Sequence, residues 1–194
     1  MPWVKSFDRD AVLDKAKNAF WALGYEGTSL DTLLSSMGIQ KGSFYATYES
    51  KHAVYLEALN RYIGERFREF EALKNAYGPL AALEQHLAIV VHESTGPTAN
   101  RGCFLVNASL ELSPKDASVR AVVKKALSTH EQFYLRMLEA AKRSGDLPSS
   151  YDSEAKARTL LAMVLGLRVM ARAGASPSTI RAVHNDALRT IRAN

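Results

Sequence analysis

At 194 residues, 47% hydrophobic and 23% charged, the chain can bury a sizeable core in one or two domains and has the balance of a soluble globular protein. A single cysteine excludes an intrachain disulfide and fits a reducing, cytoplasmic setting, the opening Met1 to Asp8 has no apolar leader run, and the longest apolar stretch, 160–169, is too short to span a bilayer. The net charge of +5 is uneven: residues 1–55 hold six Lys/Arg against six Asp/Glu, 56–150 come to +1 and 151–194 to +4, so no strongly basic end marks a nucleic-acid surface.

Pro and Gly cluster at a few points, and between them apolar residues recur with helical period, which makes the expected fold class all-α. Asp8 is placed to cap a first helix, with Phe7 and Val12 as a hydrophobic staple. Val12, Ala16, Ala19, Phe20 and Leu23 form its apolar face, Trp21 reads as packing, and Gly24 ends it. Ser29 can accept a free N–H of a helix over 30–37, and Gly38 sits where the C-terminal cap needs a left-handed backbone. Ile39 plugs the turn, and a second short helix spans 41–48. Leu30, Leu33, Leu34 and Met37 share one face and Phe44 closes the core, leaving Lys41, Gly42, Ser43, Tyr45 and Thr47 outward. A second helix with small and hydroxyl residues at its start is what a helix-turn-helix inserts into a DNA major groove. Lys5, Lys41 and Lys51 could line one face despite the neutral count.

Ser50 caps a long helix over 51–74, striped by Val54, Ala58, Leu59, Tyr62, Ile63, Phe67 and Phe70. Nothing breaks the chain between it and the recognition helix, so it links that end to the rest. Gly78-Pro79 starts the next helix, 94–100 is a loop, and 102–112 reads as a short, mostly buried helix. Ser113-Pro114-Lys115-Asp116 has the form of a capping box with proline at the first helical position, opening a long helix to about 143. The last two helices span about 152–172 and 177–192. From Leu160 to Ala171 the first of these is apolar nearly all round, broken by Arg168. One domain covers one face, so a second copy is expected on the other, with Gly166 allowing close approach; the alternative is a central helix of a monomer.

Gly-Tyr-Glu-Gly-Thr-Ser at 24–29 and Gly-Ile-Gln-Lys-Gly-Ser-Phe-Tyr-Ala-Thr-Tyr-Glu-Ser-Lys at 38–51 resemble the DNA-binding domain of the tetracycline-repressor (TetR) family of bacterial transcription regulators. Arg-Gly-Cys-Phe-Leu-Val-Asn-Ala-Ser-Leu-Glu-Leu-Ser-Pro-Lys-Asp at 101–116 is similar to the ligand-domain signature of one branch of that family. The resemblance implies a three-helix helix-turn-helix domain at 1–50 and a helical ligand-binding and dimerisation domain at 51–194. It also implies a homodimer through the last two helices, a palindromic double-stranded operator, and release by a small-molecule inducer. A repressor is the default. Tyr45, Thr47, Tyr48 and Lys51 match positions that grip the DNA backbone, with Tyr45 and Tyr48 alternatively core aromatics. Many members carry a basic residue where this chain has Asp31, which caps, reads a cytosine amine, or points away.

From the residues themselves, helix N-termini near Thr28, Ser29 and Lys41 offer N–H groups to phosphate, and Lys41, Ser43 and Tyr45 are best placed for base edges. Cys103 lies near the start of a helix, two residues after Arg101, a setting that favours thiolate chemistry; it is either a sensor of electrophiles or a small buried hydrophobe. Asn107, His130, Tyr134 and Arg168 are polar groups among apolar faces, either ligand contacts or satisfied structural residues. Arg168 could instead pair with a carboxylate across a dimer interface. No catalytic, phosphate-binding or metal-binding motif appears, so no enzyme, cofactor or metal is expected. The rival class is a helical small-molecule-binding or protein-interaction module without DNA binding, favoured by the neutral N-terminal charge.

Overall fold

Nine α-helices account for the described residues, 7–192 of a computed structural model, with one 3-10 turn at Ala99–Arg101 and no strand among them. They are α1 (Arg9–Leu23), α2 (Leu30–Met37), α3 (Lys41–Tyr45), α4 (Lys51–Ala76), α5 (Pro79–Thr95), α6 (Phe104–Glu111), α7 (Ala117–Ser144), α8 (Ser153–Arg172) and α9 (Pro177–Arg192). The expected all-α class is the one found, and Lys5 lies outside the described residues.

The caps explain the boundaries. The Asp8 carboxylate accepts the Asp10 N–H at 2.9 Å, and Ser29 Oγ accepts the Thr32 N–H at 3.0 Å. Gly38 is left-handed, φ 72°, and its N–H returns to the carbonyls of Leu34 and Ser35. Two boundaries differ from the sequence expectation. The recognition helix α3 stops at Tyr45 instead of 48, because the chain must straighten to bring Ser50, φ −162°, over α4 as its cap. The long helix α7 starts at Ala117, capped by Asp116, whose carboxylate accepts the Val119 N–H at 2.9 Å. Ser113 and Pro114 stay outside it, their carbonyls held by the Arg120 guanidinium at 2.8 and 2.7 Å.

Two apolar clusters form the core. One joins Phe20, Leu33, Met37, Phe44, Tyr55 and Leu59 to Phe104, Leu105, Ala108, Leu112, Val119 and Val123. The other gathers Phe70, Leu83, Leu87, Phe133, Tyr134, Leu138, Leu160, Leu167, Ile180 and Ile191. Phe67 packs on both. The division falls inside α4 and inside α7, so α6 and the start of α7 share their core with the helix-turn-helix. Each fully buried large side chain contributes about 1.5–3 kcal/mol. No helix among the described residues is long and apolar enough to cross a membrane.

Candidate nucleic-acid interface and ligand cavity

The outer face of the helix-turn-helix is built around α3. Lys41 and Gly42 are exposed, and a Cβ at Gly42 would have nothing within 4 Å. Tyr45 is 53% exposed, its ring edge-on to Phe44. Ser43 and Thr47 are half-buried beside it. Gln40, the N-cap, makes no side-chain cap, so the first N–H groups of α3 have no side-chain acceptor. Ser29 is exposed but its oxygen is committed to Thr32. Asp31 is exposed and makes no ion pair among the described residues.

Two of the expected contacts are internal. The Thr28 side chain is fully buried and donates to the Gly24 carbonyl at 2.6 Å, while its N–H reaches Tyr25 O at 3.3 Å, so it shapes the loop rather than facing outward. The Tyr48 ring is buried against Phe44 and under the Arg9 guanidinium, 5.3 Å from the ring centroid. Its hydroxyl is buried with no partner, and burial pushes the phenol above its ordinary pKa. Tyr48 is a core aromatic here. Lys51 holds its ammonium 4.1 Å from the Tyr25 ring centroid, a cation–π contact.

The neutral charge count conceals an ordered arrangement. Asp10 and Asp14 bind Arg61 at 2.9 and 2.7 Å, Lys17 binds Glu65 at 2.6 Å, Arg9 binds Glu57 at 2.6 Å and Glu26 binds Lys115 at 2.9 Å. The Arg61 hydrogen bond holds Asp14 below the usual carboxylate range. The cations left without an ion pair among the described residues of 7–55 are Lys15, Lys41 and Lys51. Lys15 Nζ lies 3.7 Å from where a Cβ would stand on Gly38, beside the turn between α2 and α3.

A cavity of about 40 Å³, little more than one water, lies among α4, α5, α7, α8 and the start of α6. Most of its wall is apolar: Ile63, Phe67, Phe70, Val90, Leu105, Val106 and Val164. At one side Glu93 joins two guanidiniums, Arg66 at 2.7 Å and Arg168. Burial raises the Glu93 carboxyl, but Arg168 and Arg66 outweigh it and hold it below the usual range. Tyr62 Oη donates to Cys103 Sγ at 3.3 Å, and burial drives the phenol well up. On another side Phe70 stacks on Phe133, with His86 and His130 against it at 4.6 and 4.7 Å. Burial pushes His130 down to about 3 and His86 well below its ordinary value, so both are neutral. His130 Nε2 and Arg66 Nε are buried without partners.

Of the residues expected around a ligand, Cys103, His130 and Arg168 share this wall. Tyr134 stands behind it, hydrogen-bonded to His86 at 3.0 Å. Asn107 does not reach it: its Nδ2 donates to Arg101 O at 2.9 Å, and the residue lines a separate groove with Leu23, Leu110 and Arg172. Within the chain Arg168 already has Glu93 as its carboxylate. Arg101 lies over the Trp21 ring, 5.8 Å from its centroid, so the cations that share the cavity with Cys103 are Arg66 and Arg168. Tyr62, Arg66, His86 and Glu93 were missed. The available signal was a charge inside a stripe: Arg66 lies four residues from both Tyr62 and Phe70, on the buried face of α4.

Residues 79–186 match the family model described as "Tetracyclin repressor-like, C-terminal domain", and residues 12–58 match "Bacterial regulatory proteins, tetR family". The chain is 30% identical over 188 residues to the HTH-type transcriptional repressor ComR of Escherichia coli K12, covering 95% of this chain and 89% of that one. It is 31% identical over 170 residues to YezE of Bacillus subtilis 168, an uncharacterized HTH-type transcriptional regulator, covering 87% and 88%. A cysteine mutant of the TetR family transcriptional regulator CifR, complexed with 26-bp double-strand operator DNA, superposes with a TM-score of 0.84 at 30% identity over 95% of this chain and 96% of that one. With both halves matched and the helix-turn-helix in place, the chain belongs to the TetR family of bacterial transcription regulators.

Proposed function

We propose that the protein is a one-component repressor that binds a palindromic operator as a homodimer and is released by a small molecule or an electrophile entering the cavity. The observation that carries this reading is the course of α4. Its first half packs the helix-turn-helix, through Val54, Tyr55, Ala58 and Leu59, and its second half supplies Tyr62, Arg66, Phe67 and Phe70 to the cavity. The two half-sites would lie one helical turn, or a multiple, apart. Lys41, Ser43 and Tyr45 would enter the groove, with Thr47, Lys51 and the N–H groups near Ser29 on the backbone. The similarity to ComR, a transcriptional repressor, and to CifR, bound to operator DNA, supports the same assignment. Lys15 and Lys41 flank the turn before α3 without an ion pair among the described residues, which puts cations beside the reading helix even though Asp8, Asp31 and Glu49 keep the overall count neutral.

Dimerisation is assigned to α8 and α9. Val169 is 44% exposed, and a Cβ on Gly166 would meet nothing within 4 Å, leaving room for a second backbone. A cavity occupant then acts by binding one protomer spacing more tightly than the other, reciprocally with DNA. Its reach to Cys103, half-buried on the wall, is what admits an electrophile as the signal. The test is fluorescence anisotropy of the purified protein with its own upstream DNA across a salt series. Saturable, sequence-selective binding by two protomers or more, weakening as salt rises, is expected. Equal weak binding to any duplex, from that DNA and from a random-library selection, would sink the reading. Cys103→Ser should abolish only the response to electrophiles.

A further inference from the structure

The segment from Gly102 to Asp116 touches both halves of the molecule. At its start Cys103, Leu105 and Val106 wall the cavity. Several of its polar contacts go to the helix-turn-helix side. Trp21 Nε1 donates to Gly102 O at 3.2 Å, Lys115 binds Glu26 at 2.9 Å, and His52 pairs with Asp116 at 2.6 Å. Between them Glu111, the last residue of α6, accepts the Tyr25 N–H at 3.1 Å and the Glu26 N–H at 2.9 Å. Gly24, φ 78°, is open enough for this: a Cβ there would stand 2.8 Å from the Glu111 carboxylate. Successive N–H groups leaving α1 thus converge on one carboxylate, the arrangement of an anion-holding nest, with charge-assisted bonds about twice as strong as neutral ones.

The other connections of α1 run alongside α4. Arg61 holds Asp10 and Asp14, Glu65 holds Lys17, and Glu57 holds Arg9. These tie α1 and α4 into one body. Besides α4 itself, that body is joined to the cavity wall by α6, eight residues or about 12 Å of helix, with a cavity residue at one end and Glu111 at the other.

We propose that Glu111 is the positioning residue through which the cavity sets the attitude of the DNA reader. An occupant that displaces the start of α6 withdraws the carboxylate from the Tyr25 and Glu26 N–H groups and frees the loop that leads into α2. The consequence at DNA rests on the regulator reading above; the contact and its loosening do not.

Two readouts on the full chain separate them. The occupant is N-ethylmaleimide, whose double bond adds the sole thiol, Cys103, across it and which is larger than the 40 Å³ cavity that Cys103 lines. Val90→Phe, overfilling the cavity from α5, supplies the same displacement without thiol chemistry. Amide exchange by mass spectrometry over Tyr25 and Glu26 should rise about tenfold with either, the scale set by losing hydrogen bonds to a charged group. In Glu111→Ala that exchange should already be fast and should ignore both occupants, while melting stays cooperative. Glu111→Gln, which keeps one acceptor oxygen, should lie between. A loss of packing alone would not make the loop deaf to the cavity. Unchanged exchange over Tyr25 and Glu26 in both the intact-mass-verified adduct and Val90→Phe would overturn the proposal. So would an unaltered occupant response in Glu111→Ala, which would put the signal in α4. If exchange behaves as expected and no duplex is ever bound selectively, the regulator reading falls and the joint stands.

Discussion

The two halves of α4 carry opposite kinds of charge. Toward the helix-turn-helix, the partly exposed Glu57, Arg61 and Glu65 clasp α1 beside an apolar core. Five residues beyond Arg61, Arg66 reaches the cavity wall, and at its side Glu93 bridges Arg66 to Arg168, the deeply buried member at 10% exposure. Exposed pairs contribute a few tenths to 1 kcal/mol each, whereas burying ions costs several, recovered only while every partner stays in place. The reader half is therefore held by caps and apolar packing, and the cavity half keeps polar groups that packing alone would not select.

The sharpest way to break that contrast is Arg168→Ala. The Arg168 side chain is 10% exposed and its loss leaves Glu93 with Arg66 alone. Urea denaturation should show about 3 kcal/mol of destabilisation. Arg61→Ala, in the partly exposed ion pairs between α4 and α1, should cost about 1 kcal/mol. Equal losses would mean that the cavity half is no more dependent on its charges than the reader half.

Gly38→Ala tests the other half's reliance on backbone geometry. At φ 72° an alanine costs about 1–2 kcal/mol, and the strain falls on the turn that presents α3. Urea denaturation would show it, and operator affinity should fall with it. Tyr45→Ala should instead leave stability untouched, since the ring is exposed, and cost about tenfold in operator affinity, or about 1.4 kcal/mol. Tyr48→Phe sharpens the distinction within α3's surroundings. It removes a buried hydroxyl with no partner, so it should be neutral or slightly stabilising and leave DNA affinity alone. A loss of affinity in Tyr48→Phe would return that residue to the DNA face.

The reader half was legible because its signals are local. Asp8, Ser29, Gly38 and Ser50 act within a turn of where they stand, and the family motif covers the same residues. Where a local signal competed with another, the reading slipped. Ser113 looked like a cap, but Asp116 offers a charged acceptor to α7 and Arg120 draws the Ser113 carbonyl away. The cavity was half legible. Cys103, His130 and Arg168 stand out as polar residues on apolar faces, but Tyr62 reads as an ordinary stripe aromatic, and the pairing of Glu93 with Arg66 and Arg168 joins three helices. Asn107 failed for the reverse reason. It too is a polar residue in an apolar helix, yet its partner is a backbone carbonyl six residues back, invisible to side-chain pattern.

The last expected effect concerns protons. His130 faces Phe70, His86 and Tyr134, with Arg168 across the cavity, and burial first, then the Arg168 charge, holds it near 3. In the unfolded chain its pKa is about 6.5. Between these values the unfolded state binds a proton that the native state refuses, so stability falls as pH falls through this window. From pH 6.5 to 5.5 one such histidine removes about 1 kcal/mol, and His86, shifted the same way, adds a similar amount. The depressed carboxyls of the reader half, Asp14 and Asp116, also lose stability on acidification, but only near and below their unfolded pKa of about 4, outside this interval. Denaturant midpoints at pH 6.5 and 5.5 isolate the cavity half for that reason. His130→Leu should remove about half of the wild-type drop between the two, and an unchanged drop would mean that this ring takes up its proton without leaving the folded state.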